Sequence, residues 1–152
     1  MYLAIKMNIA IESFKEEDAK SLAEIDEVVF GGTFKEQDFL DYHKNPIYNF
    51  NVAKIDENIV GYIGYMVIAD QCDIINIGIL PDKRGLGIGN MLMDSMILNL
   101  KRDSIKAVYL EVRKSNLVAI SLYEKYGFIV SGVSKNHYTE PTEDALRMSL
   151  CL

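Results

Sequence analysis

From Met7 the chain alternates apolar and polar residues through MNIAIESF, which predicts a first strand. The period then changes. Across KEEDAKSLAEIDEVVF the positions Ala19, Leu22, Ala23, Ile25, Val28 and Val29 approximate one stripe of a helix. Acids near its start suit the helix dipole, and Gly31-Gly32 ends it. KEQDFLDYHKN predicts a shorter helix closed by Pro46. YNFNVAKIDENIVGYIGYMVIADQCDIINIGIL then predicts a meander of strand-like runs, turned at Asp56-Glu57-Asn58 and again between Ala69 and Gln71.

A glycine-rich loop follows, and then a helix from about Ile88 to Leu100, with Ile88, Met91, Leu92, Ser95, Met96 and Leu100 along one face. KAVYLEVR predicts a strand. SNLVAISLYEKYGF predicts a helix opened by Ser115 or Asn116 and ended at Gly127. FIVSGVSKNHY and DALRMSLCL predict two last strands joined by a polar loop containing Pro141. A strand, helix, strand succession around the glycine loop requires a parallel pair with a right-handed crossover. The pattern therefore predicts an α/β (α+β) domain: a mixed sheet with helices over its faces.

Composition narrows this. With 152 residues, 49% hydrophobic and 25% charged, the chain has the size and balance of a single globular domain, residues 1–152. Three prolines and no biased segment predict no linker or disordered tail. A net charge of −6 speaks against general nucleic-acid binding and favours a cationic partner, or serves solubility alone. Cys72 and Cys151 lie far apart without metal-ligand spacing and are expected to be reduced, packed thiols; no metal is expected. The apolar start MYLAIKMNIAIESF is broken by Lys6, Asn8 and Glu12, and no run approaches the length of a membrane span. A cytoplasmic protein with no membrane partner is expected, as a monomer or homodimer.

Candidate chemistry concentrates at RGLGIGN, residues 84–90. Glycines after a strand and before a helix can turn several backbone N–H groups toward one anion, aided by the helix dipole. Lys83 and Arg84 can add charge. The stretch is neither G-x-x-x-x-G-K-[ST] nor G-x-G-x-x-G, so two readings stand: a phosphate grip or a plain turn into a helix.

Arg84-Gly85-Leu86-Gly87-Ile88-Gly89 fits the Q/R-x-x-G-x-G/A motif of the GNAT N-acetyltransferases, which this chain resembles. YLEVRKSNLVAISLYEKYGF is similar to the L-E-V-R-x-S-N…L-Y-x-x-x-G-F block of the ribosomal-protein-alanine (RimI) type. The ending KNHYTEPTEDALRMSL also resembles that type. Gly85 and Leu86 stand where such relatives often carry Arg, Leu80 replaces a common Asp or His, and His137 stands where a Tyr is expected. The resemblance implies a central sheet of about seven mostly antiparallel strands, about four helices and a splayed parallel pair. It implies acetyl transfer from acetyl-CoA to a primary amine, most of all a protein N-terminus, with a small-molecule amine or a non-catalytic CoA-binding module as the alternatives.

The same resemblance implies the site. Backbone groups of Ile77, Gly78 and Ile79 would pair with the pantetheine arm. The backbone of Arg84, Gly85, Leu86, Gly87, Ile88, Gly89 and Asn90 would hold the pyrophosphate, and Asn116 would meet the arm, cap its helix, or both. Glu111 would take the amine proton, directly or through water. An N–H near Ile79 would stabilise the developing oxyanion. Tyr123 would protonate the thiolate and touch the cofactor. Tyr138, His137 and Phe34 would line the amine pocket, with His137 a spare base. Alternation along the strand puts Val108, Leu110 and Val112 on one face and Tyr109, Glu111 and Arg113 on the other. Without the resemblance, Glu111 reads as a carboxylate paired with Arg113, and Tyr123 as a packed aromatic.

Overall fold

The computed structural model describes residues 7–152; the apolar start at positions 1–6 lies outside the described residues. The elements are β1 (Ile9–Ser13), a 3-10 turn (Glu16–Asp18), α1 (Ala19–Phe30), α2 (Glu36–His43), β2 (Tyr48–Ile55), β3 (Asn58–Ile68), β4 (Gln71–Ile79), a 3-10 turn (Pro81–Lys83), α3 (Ile88–Arg102), β5 (Ala107–Arg113), α4 (Leu117–Lys125), β6 (Ile129–Thr139) and β7 (Thr142–Cys151). The strands form one seven-stranded sheet in the order β1-β2-β3-β4-β5-β7-β6. The parallel pair is β4 with β5, joined at Gln71–Ala107, Cys72–Val108 and Asp73–Tyr109. β7 inserts antiparallel between β5 and β6.

Local chemistry sets the boundaries. Gly31, at φ 77°, gives α1 a left-handed cap. Asp56 and Glu57, at φ 49° and 70°, make the tight turn between β2 and β3. The Asn116 side chain accepts the Ala119 N–H and opens α4, which settles the choice between Ser115 and Asn116. Two boundaries differ from the sequence pattern. The cis Glu140-Pro141 pair alone turns the last hairpin, so β7 starts at Thr142 and the expected polar loop shrinks. The start of the first predicted helix is a 3-10 turn, where the Asp18 carboxylate accepts the Lys15 N–H at 2.9 Å.

The described residues divide into two compact units, 7–64 with Asn76–Ile97 and Tyr65–Ile75 with Leu98–Leu152. The first has an aromatic core in which Phe39 meets Phe50 and Tyr62 edge-on at 5.4 and 5.7 Å. Burying each such ring contributes about 1.5–3 kcal/mol. Asp26, fully buried, accepts from the Tyr62 hydroxyl at 3.1 Å and from the Phe34 N–H at 3.0 Å. The Asn76 amide donates to the same hydroxyl at 3.0 Å. In the second unit the inward face of β5, Val108, Leu110 and Val112, is buried along with Ile120, Tyr123, Phe128, Ala145 and Met148. Cys72 is buried there as expected, but Cys151 is exposed, because β7 turns its last residue to solvent. Along α3 the predicted stripe is buried at Ile88, Leu92, Met96 and Leu100, and Met93 joins it.

Candidate active site

In the first unit the glycine loop is open. Gly85 and Gly87 have φ of 79° and 82°, a region side chains disfavour, and a Cβ on either would meet nothing within 4 Å. The loop thus offers bare main chain beside the start of α3, whose first N–H groups have no partner within the helix. Gly85 and Gly87 so leave room beside the loop for an anionic group such as a pyrophosphate. The nearby cations are partly engaged: Arg84 Nε donates to the Ile79 carbonyl at 3.2 Å, and Lys83 lies 3.9 Å from Asp82.

β4 shows which backbone groups remain available. The Leu80 N–H donates to the Val60 carbonyl at 2.9 Å, so that edge of the strand is turned to β3. Gly78 shares the edge: a Cβ on Gly61 would lie 2.9 Å from its carbonyl oxygen. Strand alternation therefore turns the backbone of Ile77 and Ile79 to the opposite edge. Gly78 itself leaves room for the Phe30 ring, 2.9 Å from where its Cβ would stand. Phe34 is anchored through its N–H on Asp26, with its ring edge-on to Phe39 and Tyr42.

The second unit gathers the titratable candidates. Glu111 is exposed on the outward face of β5, as the alternation predicts. It pairs with His137, Nε2 to Oε2 at 2.9 Å, and not with Arg113. Arg113 instead donates to Glu143 at 3.3 Å and lies 4.1 Å over the Tyr138 ring. His137 meets Tyr138 edge-on at 4.8 Å. Burial pushes the Tyr138 hydroxyl above its ordinary value, and the Glu111 carboxylate adds to the shift. Tyr123 is buried on α4, its ring 5.7 Å from Phe128. Burial, with a smaller contribution from Tyr138, pushes its pKa up to about 12. Glu111, His137 and Tyr138 thus lie together, and Tyr123 is linked to them only through the small effect of Tyr138. Asn116 is a helix cap, its Oδ1 3.2 Å from the Ala119 nitrogen.

The sequence pattern pairs Arg113 with Glu111 and gives Glu143 no role, because the observed Arg113–Glu143 pairing spans thirty positions. The Asp26–Tyr62–Asn76 group was missed for the same reason.

The Acetyltransferase (GNAT) family model matches residues 12–128. This chain belongs to the GNAT family. A Bacillus subtilis protein provisionally named ribosomal protein bS18-alanine N-acetyltransferase is 34% identical over 147 residues, 95% of this chain and 96% of its own. The crystal structure of the Escherichia coli ribosomal-protein-S18-alanine N-acetyltransferase superposes with a TM-score of 0.87 at 27% identity, covering 95% of this chain and 94% of that one. A Thermoplasma acidophilum PaiA N-acetyltransferase, solved with coenzyme A, shares the fold at TM-score 0.79 and 20% identity, covering 96% of this chain and 100% of its own. Within the GNAT family the chain is of the RimI type, and it is an acetyl-CoA-dependent N-acetyltransferase. The seven-stranded mixed sheet with its parallel β4–β5 pair agrees with that fold.

Proposed function

We propose that this protein, acting as one domain in the cytoplasm, acetylates the N-terminal α-amino group of a protein, with a basic, alanine-starting ribosomal protein as the acceptor. When bound, acetyl-CoA supplies a thioester carbonyl open to attack by an amine. The main chain of residues 84–90, open at Gly85 and Gly87, would hold its pyrophosphate, and Ile77 and Ile79 would pair with its arm through the edge turned from β3. The Ile79 N–H would donate to the thioester oxygen.

The observation that carries the chemistry is the Glu111 carboxylate, off the core face and free of Arg113. A protein α-amine has a pKa of about 8 and is mostly protonated at neutral pH, so it must lose a proton before it attacks. Glu111 accepts that proton at a carboxylate oxygen. Tyr123 holds its own proton at neutral pH, since its pKa lies near 12, and supplies it to the departing thiolate sulfur. The names of the relatives favour an alanine-starting ribosomal protein, and the net charge of −6 favours a basic peptide.

The test is incubation with acetyl-CoA and a peptide library, read by mass spectrometry. Acetylation confined to free polyamines, amino acids or drugs would sink the N-terminal assignment. Glu111→Gln should lower kcat on the order of 10²-fold or more with coenzyme A binding nearly intact.

A further inference from the structure

The last hairpin is held on the Glu111 strand by side chains that the acetyl-transfer reading does not use. Arg113 Nη1 donates to the Pro141 carbonyl at 3.1 Å and to Glu143 Oε2 at 3.3 Å, and Nη2 reaches the Glu140 carbonyl at 3.4 Å. The same guanidinium lies over the Tyr138 ring. One planar fork therefore binds the turn residues, the start of β7 and the end of β6. Glu143 completes the bracket, its other oxygen accepting the Ser115 N–H at 2.5 Å just before α4.

A second device lies beside it. The β6–β7 register breaks between Ser134 and Tyr138, and Asn136 sits at φ 52° with its N–H on the Asp144 carboxylate at 2.9 Å. Such a bulge re-aims the side chain that follows. Here that residue is His137, which passes beyond β7 to reach Glu111 on β5. Arg147, the register partner of Glu111 on β7, turns its guanidinium to Gly132.

We propose that Arg113 is a positioning residue: it clamps the β6–β7 turn so that the bulge holds His137 on the Glu111 carboxylate and Tyr138 beside it. His137 then fixes Oε2 and leaves Oε1 for the amine proton, an arrangement that rests on the reading of Glu111 as the base. The clamp needs the fork and not merely a charge, because three acceptors and a ring are held at once.

Arg113→Lys in the full chain tests this. The expected result is a fall in kcat of tenfold to a hundredfold, on the order that a misplaced group costs, with the KM for acetyl-CoA within about twofold. The chain has two histidines, so His137 is readily assigned by NMR. Its ring-to-ring contacts with Tyr138 should weaken in the variant. Glu143→Gln removes one leg and should move both readouts the same way by less, which keeps the test usable if Arg113→Lys folds poorly. Wild-type kcat in both variants, or a rise in acetyl-CoA KM alone, overturns the proposal. So do unchanged His137–Tyr138 contacts. Glu111→Gln separates the two readings: full activity there removes the base, while the NMR contacts, read without turnover, still judge the clamp.

Discussion

At the scale of single residues, burial decides which candidate groups can react. Cys72 is buried, and burial pushes its thiol up to about 12, so almost none is thiolate at neutral pH. Cys151 is exposed. One thiol should therefore react with a disulfide reagent in the native protein, and the second only after denaturant is added. Tyr123 follows the same logic toward function. Its pKa rises from 10 to about 12, so the fold favours the neutral phenol. That preference is fully present below pH 10 and is lost as pH climbs through 12. Tyr123→Phe should cut kcat on the order of 10²-fold, and the wild-type pH profile should show no alkaline fall near pH 10 from this group. Legibility differed between these residues. Glu111 faces outward as the two-residue period of LEVR requires, because a strand fixes sidedness locally. Its partner was not legible: the nearest cation in sequence is Arg113, yet a distant bulge delivers His137 instead.

At the scale of elements, the periodicity of α3 and β5 predicted their buried faces, since helix and strand geometry act over a few residues. In α1, by contrast, only Ala19, Leu22 and Ile25 of the expected stripe are buried: Val28 is exposed and Asp26, held by Tyr62 and Phe34, is buried instead. What periodicity could not predict was the order β5-β7-β6 or the Asp26–Tyr62–Asn76 group, which depend on packing between segments far apart in sequence. That group makes a prediction for the first unit. Tyr62→Phe removes the hydroxyl that joins α1 to β4 and leaves a fully buried Asp26 oxygen short of a donor. Urea unfolding should show a loss of about 1–3 kcal/mol. The glycines separate stability from ligand binding in the same unit. A Cβ on Gly64 would lie 2.5 Å from the buried Phe50 ring, so Gly64→Ala should cost about 1–3 kcal/mol by overpacking. Gly87→Ala meets open space; its strain falls on the loop alone. Its main effect should be weaker coenzyme A binding by calorimetry, with a small change in unfolding midpoint.

At the scale of the whole molecule, charge offers a test that no single side chain controls. Acids exceed bases by 22 to 16, so the field around the protein attracts a cationic peptide and repels an anionic cofactor. The loop that would hold the pyrophosphate relies on main-chain N–H groups, with Arg84 already engaged by Ile79 and Lys83 beside Asp82. Little local positive charge therefore offsets the repulsion of acetyl-CoA. Added salt screens both effects, with a Debye length falling to about 10 Å at 0.1 M. The two substrates should then respond with opposite signs. The KM for a basic, alanine-starting peptide should rise several-fold between about 0.05 and 0.3 M salt, because its attraction is screened. The KM for acetyl-CoA should hold or fall, because its repulsion is screened and backbone hydrogen bonds do not depend on a charged side chain. A neutral peptide of the same starting sequence serves as the control and should show neither change. If instead acetyl-CoA binding weakens steeply with salt while the peptide is indifferent, side-chain cations hold the pyrophosphate and the main-chain grip assigned to residues 84–90 is wrong.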